Sequence, residues 1–112
     1  MLIAMFLLSG NMMAQEVLIN DNFETYSINS KLAEEASANG NDWWTTWSGT
    51  HGNSEDGEIK YFDRTNCAYF VSGIDQVLLL GGYESGVYEL SFDIYIPDGK
   101  SAYFNVLHSF NG

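Results

Sequence analysis

The sequence predicts an all-β protein: an antiparallel β-sandwich of the jelly-roll kind, incomplete at its C-terminus. Three observations lead there. The second half alternates apolar and polar residues with period two, the mark of half-buried strands. Short apolar runs recur at roughly 8 to 12 residue intervals with glycine between them. Only one segment is rich in helix formers.

The first residues stand apart from this pattern. Residues 1–8 are all apolar and are followed by Ser9, Gly10, Asn11, Met12, Met13 and Ala14, with a small residue where a signal peptidase cuts. Residues 1–14 therefore read as a secretory signal peptide, with a buried N-terminal strand or helix as the alternative, and 15–112 as the N-terminal part of the sandwich domain. The run is far shorter than the roughly 18 residues that hold a helix in a bilayer, so no membrane insertion of the mature chain is expected. All 4 methionines fall inside this segment. No Lys or Arg precedes Lys31, which leaves room for a start codon upstream of Met1.

Residues 16–19 and 23–26 suggest a first strand entering the sheet. Residues 30–39 form the helical candidate, with Ser30 as its cap and Asn39 and Gly40 as its end, two turns at most. Between Asn39 and Gly57, Gly, Asn, Ser and Thr surround three tryptophans, which reads as a long loop with a short strand at 43–47. Residues 58–62, 67–71 and 76–80 are further strands, the first the weakest. Along 87–96, Tyr88, Leu90, Phe92, Ile94 and Ile96 share one face while Glu89, Ser91 and Asp93 share the other. Pro97, Asp98 and Gly99 make the next turn. The run 101–110 then alternates again, and the two runs should pair as a hairpin. About six strands result, against the eight of a two-sheet jelly roll, so an uncovered edge or apolar face is expected.

Every charged residue lies beyond Gln15, 15 acids against 4 bases, for a formal net charge of -11. Such a surface repels phosphate backbones and anionic lipid heads, which argues against nucleic acid and membrane partners. Neutral sugars and metal cations are compatible with it. The single cysteine, Cys67, permits no internal disulfide and reads as a small buried hydrophobe.

Three groups of residues could carry function. Trp43, Trp44 and Trp47 lie in a polar, glycine-rich neighbourhood beside Asp42; indole faces stack on sugar rings while carboxylates and amides bond the hydroxyls. Against this, Trp44 and Trp47 can equally anchor the loop into the sandwich, which leaves Trp43 as the indole expected to be exposed. Asp21, Asn22 and Glu24 offer hard oxygens of the kind a structural calcium requires, though turn acids facing water look the same in sequence. Glu55, Asp56 and Glu58 are a poorer set of the same type. Catalysis lacks a constellation. Glu89 and Asp93, four residues apart on a strand, stand about 13 Å apart at ~3.4 Å per residue, too wide for glycoside hydrolysis, which takes carboxyls about 5 to 10 Å apart. His51 and His108 have no nucleophile nearby in sequence, and neither a nucleophile elbow nor a phosphate loop is present.

The segments Asp21-Asn22-Phe23-Glu24 with Tyr26, Lys31-Leu32-Ala33, Trp44-Thr45-Thr46-Trp47-Ser48, Ser54-Glu55-Asp56 and Gly99-Lys100 with Ala102-Tyr103-Phe104-Asn105 resemble the opening of secreted Bacteroidota proteins. Members of that group carry an N-terminal jelly-roll domain of the concanavalin A-like lectin/glucanase type and a C-terminal sorting domain for type nine (type IX) secretion. The resemblance implies a secreted or outer cell-surface location, carbohydrate or surface binding, and a structural calcium held near Asp21, Asn22 and Glu24 with further ligands from a later strand. No sorting domain is present in these residues. Two readings of function then compete with a third: a non-catalytic module binding a glycan or another extracellular ligand, a structural or adhesive domain of a cell-surface protein, and a fragment of a glycoside hydrolase. Oligomeric state has no signature in the sequence.

Overall fold

The computed structural model describes residues 4–9 and 15–108 of the chain. It is dominated by strands, all paired antiparallel, with one short helix. In chain order the elements are β1 (Ala4–Ser9), β2 (Gln15–Asp21), α1 (Leu32–Ala38), β3 (Trp44–Thr46), β4 (Glu58–Phe62), β5 (Thr65–Tyr69), β6 (Gln76–Leu78) and β7 (Val87–Ser91). They form three small sheets, ordered β2-β1-β7, β3-β6 and β4-β5. Strand β1 comes from the expected leader and takes the central place of its sheet. The rest of that leader, 1–3 and 10–14, lies outside the described residues, as do 109–112 at the end of the last expected strand.

The core sits among the turn after β2, the helix and the two two-stranded sheets. Phe23, Tyr26, Leu32, Ala33, Ala36, Trp44, Ile59 and Ala68 form one buried cluster, with Trp43 and Leu78 packed against it. Residues 23–26, expected to extend the first strand, make a tight turn instead. Phe23 takes φ +63° and the Tyr26 N–H donates to its carbonyl at 3.2 Å. A left-handed Phe costs about 1 kcal/mol or more. Complete burial of its ring offsets this, with the Tyr26 and Trp44 rings 6.2 and 6.1 Å away.

Helix α1 forms where expected because Leu32, Ala33 and Ala36 present one apolar face to that cluster, a spacing only a helix brings together. Its start differs from the expectation. Ser30 turns its hydroxyl to the Ser27 carbonyl, and Lys31 holds the cap position without a side-chain cap bond. The carboxylate of Asp56 closes the helix from outside, accepting the N–H groups of Ala33 at 2.8 Å and Glu34 at 3.3 Å, and also that of Gly52 at 2.9 Å. Asp56 is fully buried, so the loop acid read as a solvated or metal-binding candidate supplies the helix cap.

Strands β3, β4 and β6 fall within or on their expected ranges, and β5 begins two residues earlier than expected. The C-terminal runs depart furthest. Only Val87–Ser91 of the run 87–96 is a strand, and 101–108 forms no ladder. Ile94 and Ile96 are 53% and 44% exposed, Phe104 and Val106 65% and 66%. Alternation specifies that such a run has an oily side without specifying what covers it. Here β1 takes the edge of β7 that a hairpin partner could use, and the oily side beyond Phe92 stays open. A trace of the expected hairpin remains: the rings of Phe92 and Phe104 meet edge to face with centroids 5.0 Å apart.

Candidate functional site

A cleft of about 360 Å³ opens where the end of β2, the loop before β3 and the loop after β6 converge. Each wall has a local cause. In the β1–β2 ladder Phe6 pairs with Ile19 and Leu7 with Val17, so Leu18 is a bulge residue with no partner across the ladder. Bulges redirect side chains at sheet margins, and Leu18 lines the cleft together with Leu79 and Leu80. Trp43 is half-buried and lines it as well. Its carbonyl accepts the Leu79 N–H at 2.8 Å, which ties the two walls together. Asp42 carries an exposed carboxylate to the rim, bonded only loosely by the Ser37 hydroxyl at 3.4 Å. Tyr83 closes the other end, 51% exposed. Gly81 makes room for it: with φ +93° and a hypothetical Cβ 2.7 Å from the Tyr83 ring, no other residue fits at that position without moving the ring.

Beneath the cleft lies a shared acceptor. Oδ2 of Asp21 takes the indole N–H of Trp43 at 2.9 Å, the indole N–H of Trp44 at 2.9 Å and the Tyr26 hydroxyl at 2.6 Å, while Oδ1 takes the Phe23 N–H at 3.0 Å. Asp21 is 4% exposed. Tyr26 in turn accepts a bond from the Asn41 amide at 2.8 Å. Burial, and then the bond to the Asp21 carboxylate, hold the Tyr26 phenol well above its ordinary pKa. Ionising it would set a second negative charge beside the first.

The three tryptophans thus have three fates. Trp43 faces the cleft; Trp44, 4% exposed, plugs the core against Phe23; Trp47 is 43% exposed and stands apart from the cleft lining. Asp42 and Trp43 are the two expected ligand-binding residues that come together. Tyr83, Leu18 and the Gly81 position escaped sequence reasoning. Gly81-Gly82-Tyr83 was legible as a turn with an aromatic at its end, whereas a bulge at Leu18 depends on a partner strand that no local pattern names.

The oxygens expected to hold calcium are turned to protein donors. Asp21 receives the four bonds above. The Asn22 amide oxygen accepts the Glu24 N–H at 3.1 Å, closing the turn on itself. Glu24 Oε1 accepts the Asn66 N–H at 2.9 Å and the Thr65 hydroxyl, fastening this turn to β5. Protein donors therefore engage both oxygens of Asp21, the Asn22 amide oxygen and Glu24 Oε1. Among the described residues no group of three His, Cys, Asp or Glu side chains is arranged to hold a metal, and no helix is long and apolar enough to cross a membrane.

In comparisons with known proteins the chain matches no family model, no curated protein and no solved structure.

Proposed function

We propose that the chain carries an exported, non-catalytic jelly-roll module, freed of residues 1–14, that binds a sugar residue in the cleft lined by Trp43 and Tyr83. The observation that carries this reading is the juxtaposition of two aromatic rings and one exposed carboxylate, Asp42, around a cavity of about 360 Å³. A ring of that kind covers the C–H face of a pyranose, and a rim carboxylate accepts its hydroxyls. Asp42 is the single carboxylate of the lining, where hydrolysis of a glycosidic bond uses two, which favours binding over cleavage. The resemblance to secreted jelly-roll proteins and the apolar leader favour an extracellular or outer-surface setting.

The test is a glycan array probed with the exported protein, followed by titration of the glycan that binds best. Trp43→Ala should abolish binding and Asp42→Asn should weaken it, with Trp47→Ala neutral. Binding that survives Trp43→Ala unchanged would reject the cleft. A structural or adhesive role draws support from a different observation, the exposed side chains of Ile94, Tyr95, Ile96, Tyr103 and Phe104. That role predicts no glycan signal at all.

A further inference from the structure

We infer that the strand place between β2 and β7 has two alternative occupants within this chain: β1 before residues 1–14 are removed, and residues 101–108 afterwards. The inference rests on the leader removal proposed above and concerns what the fold does next.

The sheet order β2-β1-β7 and the two antiparallel ladders mean that β2 and β7 run in the same direction, one strand apart. Taking β1 away leaves two facing rows of unpaired N–H and C=O groups across a gap of about two strand spacings, ~9.6 Å. A strand running against both, as β1 does, fills it with the same antiparallel ladders. A run joined to β7 by a tight turn has that direction of necessity, and 101–108 is joined to it through Pro97, Asp98 and Gly99. That turn is already formed: the Lys100 N–H donates to the Pro97 carbonyl at 3.0 Å and Gly99 takes φ +74°.

Register supports the same placement. A three-residue loop over 97–99 sets Ile96 opposite Lys100, hence Ile94 opposite Ala102, Phe92 opposite Phe104 and Leu90 opposite Val106. Tyr88, Leu90, Phe92, Ile94 and Ile96 then share one face with Ala102, Phe104 and Val106, and the Phe92–Phe104 ring contact is one rung of this ladder already made. In the structure Phe6 stands between Ile19 on β2 and Leu90 on β7. The hairpin register would bring Val106, a β-branched strand former, to that position beside Ile19, which is buried. Occupancy is exclusive at Leu90 and its neighbours, because one edge of β7 can pair with one strand. The exposure of Phe104 and Val106, 65 and 66%, is the state of an occupant still waiting for its place.

Paired cysteines test this in a Cys67→Ala background. Phe6→Cys with Leu90→Cys reports the first occupant, Leu90→Cys with Val106→Cys the second, and Thr45→Cys with Val77→Cys, opposite each other in β3–β6 and far apart in sequence, reports an intact fold. Each pair is oxidised with diamide in full-length protein held inside the cell and in protein recovered after export, and intact mass reads both disulfide closure and leader removal. The expected result is closure of 6–90 in the full chain with 90–106 open, and closure of 90–106 in the shortened chain, with 45–77 closed in both. A shortened chain whose 45–77 pair closes while 90–106 stays open overturns this inference and leaves the leader reading intact. Closure of both 6–90 and 90–106 in the full chain places 101–108 on the other edge of β7 and overturns it too. Loss of the 45–77 closure on shortening does the same, since no replacement strand then sustains the fold. An exported chain of undiminished mass rejects the leader reading itself, and this inference with it.

Discussion

Asp56 accepts the Ala33 N–H at 2.8 Å from 23 positions further along the chain, so the loop after the tryptophans closes the helix before them. The loop and helix cannot order separately. Asp56→Ala strips a buried acceptor from three N–H groups at once and is expected to cost about 2–4 kcal/mol, from ~1 for a lost cap and 1–3 for stranded buried donors. Urea titration followed by far-ultraviolet circular dichroism measures it. Ser30→Ala, at the residue the sequence offers as the cap, should cost no more than about 0.5 kcal/mol, the range of surface substitutions.

The buried phenol of Tyr26 predicts an alkaline weakness. Its pKa in the folded chain is raised above the ordinary 10.0, so above pH 10 the unfolded chain releases this proton and the folded chain keeps it. The native state then binds more protons than the unfolded one, and stability falls as pH rises from 10 upward; below pH 10 the group adds no pH dependence. Tyr26→Phe should lower stability by about 1–2 kcal/mol at neutral pH through two lost bonds and should flatten the decline between pH 10 and 12. Thermal melts of both proteins at pH 7, 10 and 11.5 separate the two effects. An equal decline in both would assign the alkaline loss elsewhere.

A stabilising substitution is available at the β4–β5 turn. Phe62 pairs with Thr65 across a two-residue loop in which Asp63 and Arg64 take φ +49° and +68°. Twin positive φ values define the hairpin turn that favours Asn or Asp followed by Gly. Arg64→Gly relieves roughly 1–2 kcal/mol of left-handed strain against an entropic penalty of about 0.5–1. The expected net gain is about 0.5–1 kcal/mol, read as a rise in melting temperature with glycan binding unchanged.

Gly81→Ala addresses the cleft without touching its aromatic residues. The added Cβ would sit 2.7 Å from the Tyr83 ring, so the ring must swing away or the loop must shift. Affinity for the glycan should fall as far as it does in Tyr83→Ala. Affinity equal to the parent would show that the position of Tyr83 is immaterial to binding.

Several elements were legible because their cause is local. Good helix formers bounded by Gly40 gave α1, and three of the short apolar runs gave β3, β4 and β6 nearly to the residue. Other features depend on contacts distant in sequence. The cap at Asp56 and the acceptor at Asp21 look like any surface acids when read along the chain; burial alone distinguishes them. The strongest periodic signal, 87–96, marks an amphipathic strand correctly through Ser91 and then says nothing of the neighbour its apolar face requires. At the cleft, the sequence singled out Asp42 and Trp43, with Trp44 and Trp47 as anchors; Trp44 is buried as expected, Trp43 is half-buried, and Trp47 is the exposed one at 43%. Both indoles reach the same oxygen of Asp21, and which of them plugs the core is decided by Phe23, packed on Trp44 from about twenty residues away.

Since a single oxygen of Asp21 anchors the indoles of both Trp43 and Trp44, the outer ring cannot tilt without tugging on the inner one. A visiting molecule therefore encounters scaffolding that is already set. The freedom surrendered on association falls mainly on the visitor, and modest contact area can yield useful affinity.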